Sequence, residues 1–168
     1  MIYLDNAATT ALSPAAIQAM TKTMTVFGNP SSTHSHGREA SKLLRQARED
    51  IAQALHTQSN KILFTSGGTE SNNTAIKGYA LRHQNRGKHI VTTAIEHHAV
   101  LEVVEYLVDK FGFEATFVQP VDGQIRAADI KKALRPDTIL VSVMAVNNET
   151  GAMLPIKEIG ELLHEHPA

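Results

Sequence analysis

Gly67 and Gly68, preceded by the apolar run Ile62-Leu63-Phe64 and followed by Thr69, form a residue order able to hold a phosphate. In Phe64-Thr65-Ser66-Gly67-Gly68-Thr69-Glu70-Ser71-Asn72-Asn73 a short strand reads into a tight turn and then a helix. The first N–H groups of a helix have no intrahelical partner, the helix dipole favours an anion there, and a threonine hydroxyl adds a further donor. Two more segments carry groups fit for chemistry: Glu96-His97-His98-Ala99-Val100 and Val146-Asn147-Asn148-Glu149-Thr150-Gly151. Each follows its own apolar run. If the three apolar runs are strands of one open parallel sheet, residues just past their ends line a single crevice.

The elements that must position these residues are read from periodicity. Ser13-Pro14 is a cap and first-turn pair, and Ile17, Met20 and Met24 then share a helical face, with the helix expected to stop near Phe27-Gly28. Gly28-Asn29-Pro30-Ser31-Ser32 reads as a loop, and Ala40, Leu44, Ala47, Ile51 and Leu55 mark a long amphipathic helix carrying many exposed charges. Lys61–Phe64 is expected as the first buried strand, Ser71–Gln84 as helix and His89–Thr92 as strand. Val100, Val104, Leu107 and Phe111 mark another helix. Ala115–Val118 and Thr138–Val143 read as strands, Ile130 and Leu134 as part of a short helix, and Pro155 as the opening of a helix containing Ile156, Ile159 and Leu163. Alternating strands and helices predict an α/β fold, a mainly parallel sheet with helices on both faces.

Composition sets the background. Sixteen basic against seventeen acidic residues leave no overall charge to argue for nucleic acid or a membrane surface. The 168 residues suffice for a core, with one domain as the default. Met1-Ile2-Tyr3-Leu4-Asp5 is too soon charged for a signal sequence, and no run approaches a membrane span, so a soluble cytoplasmic protein is expected. Cysteine is absent, which excludes disulfides, zinc–thiolate sites and a thiol nucleophile within these residues. His34 and His36 in Thr33-His34-Ser35-His36 have no acidic companion and are read as solvated loop histidines, while a Glu96-His97-His98 metal site would need ligands from elsewhere, so no metal centre is expected.

Five segments in this order resemble a known family. Leu4-Asp5-Asn6-Ala7-Ala8-Thr9-Thr10, Phe27-Gly28-Asn29-Pro30-Ser31-Ser32, Phe64-Thr65-Ser66-Gly67-Gly68-Thr69-Glu70, Glu96-His97 and Val146-Asn147-Asn148-Glu149 are similar to cysteine desulfurases of the NifS/IscS type, class V aminotransferases of pyridoxal phosphate fold type I. The resemblance implies pyridoxal 5′-phosphate as cofactor. It implies that Gly68 and Thr69 hold the phosphate, that His97 stacks on the pyridine ring with a share in proton transfer, and that Asn148 bonds the phenolic oxygen. Asn147 is expected to be structural.

The same resemblance implies an N-terminal portion: an arm over about 1–15 and, over about 60–168, part of the large cofactor domain. The family's Schiff-base lysine, nucleophilic loop cysteine, pyridine-pairing aspartate and carboxylate-binding arginine are expected further along. No lysine here stands in a Ser-x-His-Lys setting, and Lys77 falls within a predicted helix. The implied activity is conversion of L-cysteine to L-alanine, with sulfur held as a persulfide for iron–sulfur cluster assembly or tRNA thiolation, in a homodimer. These residues alone are expected to be inactive. Other class V enzymes, such as a selenocysteine lyase or an aminotransferase, and a non-catalytic interaction module stay open as alternatives, as does a split enzyme.

Overall fold

The computed structural model describes residues 2–164 and 166. The chain forms two compact units, Met1–Phe64 and Thr65–Ala168.

In the first unit, Ser13 caps helix α1 (Pro14–Thr23), its hydroxyl accepting from Ala16 N, and Pro14 sits in the first turn. The helix expected to run to near Phe27 ends at Thr23 instead, with Met24 as C-cap. A tighter turn takes over there: Val26 N donates to Thr23 O and the Thr25 hydroxyl donates to Lys22 O. Such local bonds compete with helix continuation at threonines. Helix α2 (Ser35–Ala54) is longer, and His34 caps it by accepting from Gly37 N, so this histidine is a structural element. A side chain on Gly28 would overlap the His36 carbonyl, which is why glycine stands where the loop turns back on α2.

The expected strand Lys61–Phe64 is not one. A 3₁₀ turn (Ser59–Lys61) leads into it, and Ile62 does take strand-like angles, φ −90° and ψ 118°. However, no neighbouring strand pairs with it among the described residues, and Leu63 and Phe64 stay 68% and 41% exposed. Periodicity reports a backbone suited to a strand. Only a partner makes one.

The second unit is the α/β layer structure. Its elements are α3 (Gly68–His83), β1 (His89–Thr93), α4 (His98–Phe111), β2 (Glu114–Val118), α5 (Ala127–Ala133), β3 (Thr138–Ser142) and α6 (Ile156–Leu163). All agree with the sequence reading to within a few residues, Pro155 standing as the N-cap of α6. The three strands form a parallel sheet in the order β2-β1-β3. Leaving β1 for β2 and β2 for β3 means moving in opposite directions across the sheet, so right-handed crossovers must lie on opposite faces. The packing agrees. Ile90 points to α3 and α4, joining Ile76, Ala80, Val104 and Leu107, whereas its neighbour Val91 points the other way, to Ile130 of α5 and Ile159 of α6.

Burial supplies most of the stability. Ile90, Leu107 and Ile130 are fully buried, and each such side chain contributes roughly 1.5–3 kcal/mol. Exposed pairs such as Lys157–Glu161 at 3.9 Å contribute about 1 kcal/mol at most. Gly112 ends α4 in the left-handed conformation, φ 66°. Gly87 is required for another reason, since a methyl group there would overlap the Asp137 carbonyl where the α3–β1 turn passes the start of β3. Among the described residues no helix is long and apolar enough to cross a membrane.

One polar group ties the three strands together. His89 of β1 is fully buried, with Nδ1 2.8 Å from Thr138 Oγ1 of β3 and Nε2 2.9 Å from Thr116 Oγ1 of β2. Burial holds its pKa below the ordinary 6.5, Arg135 adds to this, and Asp137 and Glu114 oppose it. Below about 6.5 the unfolded chain therefore takes up a proton that folded His89 resists, so stability should fall as the pH drops through and below that value. We expect the His89 ring, followed by NMR, to stay neutral at pH values where an unfolded histidine is half charged. We also expect the urea midpoint to decline from about pH 7.5 to about pH 5.5. A ring titrating at its ordinary value would contradict this account.

Candidate functional site

A parallel sheet brings the ends of β1 and β3 out on the same edge, and the loops beyond them meet. The crossover that follows β1 covers one face and the helix that follows β3 covers the other. The carboxyl ends of these adjacent strands thus flank a topological switch point, where open α/β sheets form their ligand crevices. A cleft of about 380 Å³ lies there, and both His97 and Asn148 line it, with Ile95, Leu101 and Thr150 among the remaining walls.

His97 is placed by helix α4. It is the N-cap, with extended backbone (φ −62°, ψ 146°), and its Nδ1 accepts the Ala99 N–H at 3.0 Å. With Nδ1 committed as acceptor, the neutral ring carries its proton on Nε2. His98 begins the helix proper, and its ring lies 6.4 Å from that of His97, edge to face. Both imidazoles are exposed.

Asn148 is placed by Asn147. The Asn147 side chain is buried: its Nδ2 donates to Ile95 O at 2.9 Å, and its Oδ1 accepts from Glu149 N, Thr150 N and the Thr150 hydroxyl at 3.0, 2.8 and 3.0 Å. Asn147 is therefore structural, as the sequence reading has it. Asn148 remains exposed in the cleft.

Gly68 and Thr69 do not line that cleft. They open α3, which packs on α4 and feeds β1 through a short turn, so it runs back against the strands and its start lies toward the same sheet edge. The N-cap Gly67 supplies no side-chain bond, and a Cβ added at Gly67 or Gly68 would meet no atom within 4 Å. The helix start is open. Around it the loop is wired by side chains. Glu70 reaches back to accept from both the N–H and the hydroxyl of Ser66, each at 2.6 Å, and these bonds hold its carboxyl below the usual range. Thr65 Oγ1 and Ser71 Oγ share a hydrogen bond at 2.6 Å, and the hydroxyl that does not donate in it is placed to donate to Gly67 O.

Sequence reasoning assigned no role to Glu96. Its side chain is buried (8% exposed), and Oε1 accepts from the Thr93 hydroxyl at 2.9 Å and from Met144 N at 2.7 Å, linking the loops after β1 and β3. Burial pushes its pKa above the ordinary 4.5, against the pull of the two hydrogen bonds. A carboxylate directly after an apolar strand, where the chain has yet to reach solvent, was the available signal.

Residues 2–168 match the aminotransferase class-V family. The chain is 51% identical to the cysteine desulfurase IscS of Dictyoglomus turgidum, over 98% of this chain and 42% of that protein. It is 49% identical to the putative cysteine desulfurase IscS 1 of Bacillus subtilis, over 99% of this chain and 44% of the relative. Among solved structures it is similar to a NifS-like protein, with TM-score 0.90 and 38% identity over 98% of this chain and 45% of the other. It is also similar to SspA in complex with cysteine, with TM-score 0.88 and 38% identity over 97% and 47% of the two chains. The chain thus spans less than half the length of these relatives. It belongs to the class V aminotransferase family, whose members, the cysteine desulfurases included, depend on pyridoxal 5′-phosphate.

Proposed function

We propose that these residues are the phosphate-holding and ring-facing part of a cysteine desulfurase, with about 60–168 contributing to its large cofactor domain and about 1–15 forming an N-terminal arm. The observation that carries the reading is the cleft at the switch point. One wall offers an imidazole with a fixed tautomer and the other an exposed amide, with an open helix start toward the same edge. The donor set fits pyridoxal 5′-phosphate: backbone N–H groups and a hydroxyl for a dianion, a flat ring for a flat ring, and an amide N–H for a phenolic oxygen.

The bound cofactor supplies an electron sink for the charge left at the substrate α-carbon. Gly68 and Thr69 bind the phosphate through N–H and hydroxyl donors. His97 presents its face to the pyridine ring and, through Nε2, holds or moves a proton. Asn148 orients the ring through its side-chain amide. The reaction on this reading breaks the carbon–sulfur bond of L-cysteine: cysteine and a thiol give L-alanine and a persulfide. The thiol lies outside these 168 residues, which contain no cysteine, and by themselves they bind and do not turn over. The persulfide sulfur then passes to an acceptor protein for iron–sulfur cluster assembly or tRNA thiolation, with the enzyme a cytoplasmic homodimer. The likeness to relatives named cysteine desulfurase and to a cysteine-bound structure supports this choice.

Two tests address the cradle and the ring. Titrations of pyridoxal 5′-phosphate, with phosphate-free pyridoxal as control, separate phosphate binding from aldehyde reactivity at surface lysines. Thr69→Ala removes a donor to a charged acceptor, about 1–3 kcal/mol in a shielded site, so phosphate-dependent affinity should fall by roughly tenfold. Gly68→Val should lower it further by filling the cradle. Both variants should fold, because the Gly68 site has open space and neither change removes a contact the fold uses. Unaltered affinity in both would place the phosphate elsewhere.

For the ring, His97→Asn is the informative variant, because asparagine keeps the N-cap acceptor and removes the imidazole. It should weaken cofactor binding by roughly three- to tenfold, the range for one aromatic stack, and shift the absorbance of the bound cofactor. His98→Ala should do neither. Equal effects would refute the assignment of His97.

A further inference from the structure

We propose that Glu96 is a positioning residue, whose carboxylate sets the separation between the loop that carries His97 and the loop that carries Asn148. This rests on the reading of that cleft as the cofactor site.

The ladder between β1 and β3 ends at the pair Thr92–Ser142. Met144 lies two residues further on, past any strand acceptor, and its N–H is taken instead by Glu96 Oε1 at 2.7 Å. Thr93, the last residue of β1 and itself fully buried, donates its hydroxyl to the same oxygen at 2.9 Å and so holds the carboxylate in place. A side chain thereby continues cross-strand hydrogen bonding beyond the strands. A second strap runs the other way, from Asn147 Nδ2 to Ile95 O at 2.9 Å. Each loop reaches the other's backbone with one side chain. Each strap residue immediately precedes a residue that faces the cleft: Glu96 precedes His97, and Asn147 precedes Asn148. Motion at either strap is therefore passed to its neighbour through a single peptide unit. Burying a carboxylate with no cationic partner is unfavourable, and among the described residues none pairs with Glu96, so the position is not explained by stability alone.

Both donors converge on one oxygen, which separates a positional role from a charge role. The amide oxygen of glutamine can accept the same two bonds without a charge to bury. In Glu96→Gln, therefore, Met144 amide exchange and pyridoxal 5′-phosphate affinity should stay within about twofold of the parent, whereas in Glu96→Ala both should change by roughly tenfold. The exchange rate, read by NMR without cofactor, is the readout that a charge effect on the ligand would not move. Unchanged Met144 exchange in Glu96→Ala would overturn the proposal. So would a glutamine variant that keeps Met144 protected yet binds as poorly as the alanine variant, because the charge would then matter and the position would not. If Glu96→Ala does not fold, Thr93→Val is the second variant: it removes the hydroxyl that orients the carboxylate and should partly deprotect Met144, and full protection would overturn the proposal. If exchange responds as expected while neither Glu96→Ala nor His97→Asn alters cofactor affinity, the strap stands and the cofactor reading of the cleft is what fails.

Discussion

Strand β1 is buried along its whole length and paired on both sides, and this is the condition from which the rest of the second unit follows. A central strand in a parallel sheet offers no face to water, so its residues can alternate only between two cores, Ile90 to one and Val91 to the other. Its neighbours run the same way, so each connection must return across a face, and the 2-1-3 order sends successive crossovers to opposite sides. The gap left between the ends of β1 and β3 is a geometric result of that order. The loops that carry His97 and Asn148 occupy the gap that the packing creates.

What the sheet does not supply is precision at its edge, because hydrogen bonding between strands stops where the strands diverge. Polar side chains extend it. Glu96 and Asn147 cross-link the two loops, and at the start of α3 the Ser66–Glu70 and Thr65–Ser71 contacts do the same for the glycine turn. Hydrogen bonds to a charged group are worth about 1.5–3 kcal/mol, more than an exposed ion pair, and those at Glu96 are sheltered from water by burial. The loops are thus held by side chains acting as backbone would, at positions where glycines and exposed residues would otherwise leave them loose.

Much of the framework was legible in the sequence because it depends on local signals: Ser13-Pro14 at a helix start and apolar spacing in α2, α4 and α6 each specify their element without knowledge of neighbours. The faults occur where the outcome depends on partners or competing local bonds. Lys61–Phe64 has the composition of a strand and, among the described residues, lacks one to pair with, while α1 gives way to a threonine-bonded turn about four residues before the stop expected near Phe27. Of the site, the segments holding Gly68, Thr69, His97 and Asn148 could be named by type and order. The roles of Glu96 and His89 could not, since the Glu96 bond to Met144 and both His89 bonds reach residues far along the chain, across strands whose order no periodicity reveals.

The His97-His98 doublet shows how a helix boundary separates two identical side chains. His97 lies outside the helix with extended backbone and turns one ring nitrogen back to the Ala99 N–H, whereas His98 already has helical geometry and, among the described residues, no such bond. The cap contact serves the fold, since a neutral imidazole nitrogen satisfies a donor that the helix cannot. On the proposed reading it also serves the chemistry, because a nitrogen occupied as acceptor leaves the proton on the other, and the ring is fixed in tautomer and direction before any ligand arrives. His98 has no tie of this kind to orient it. The difference between the two residues therefore lies in where α4 begins, and the strap at Glu96, one residue earlier, sets where that beginning stands relative to Asn148.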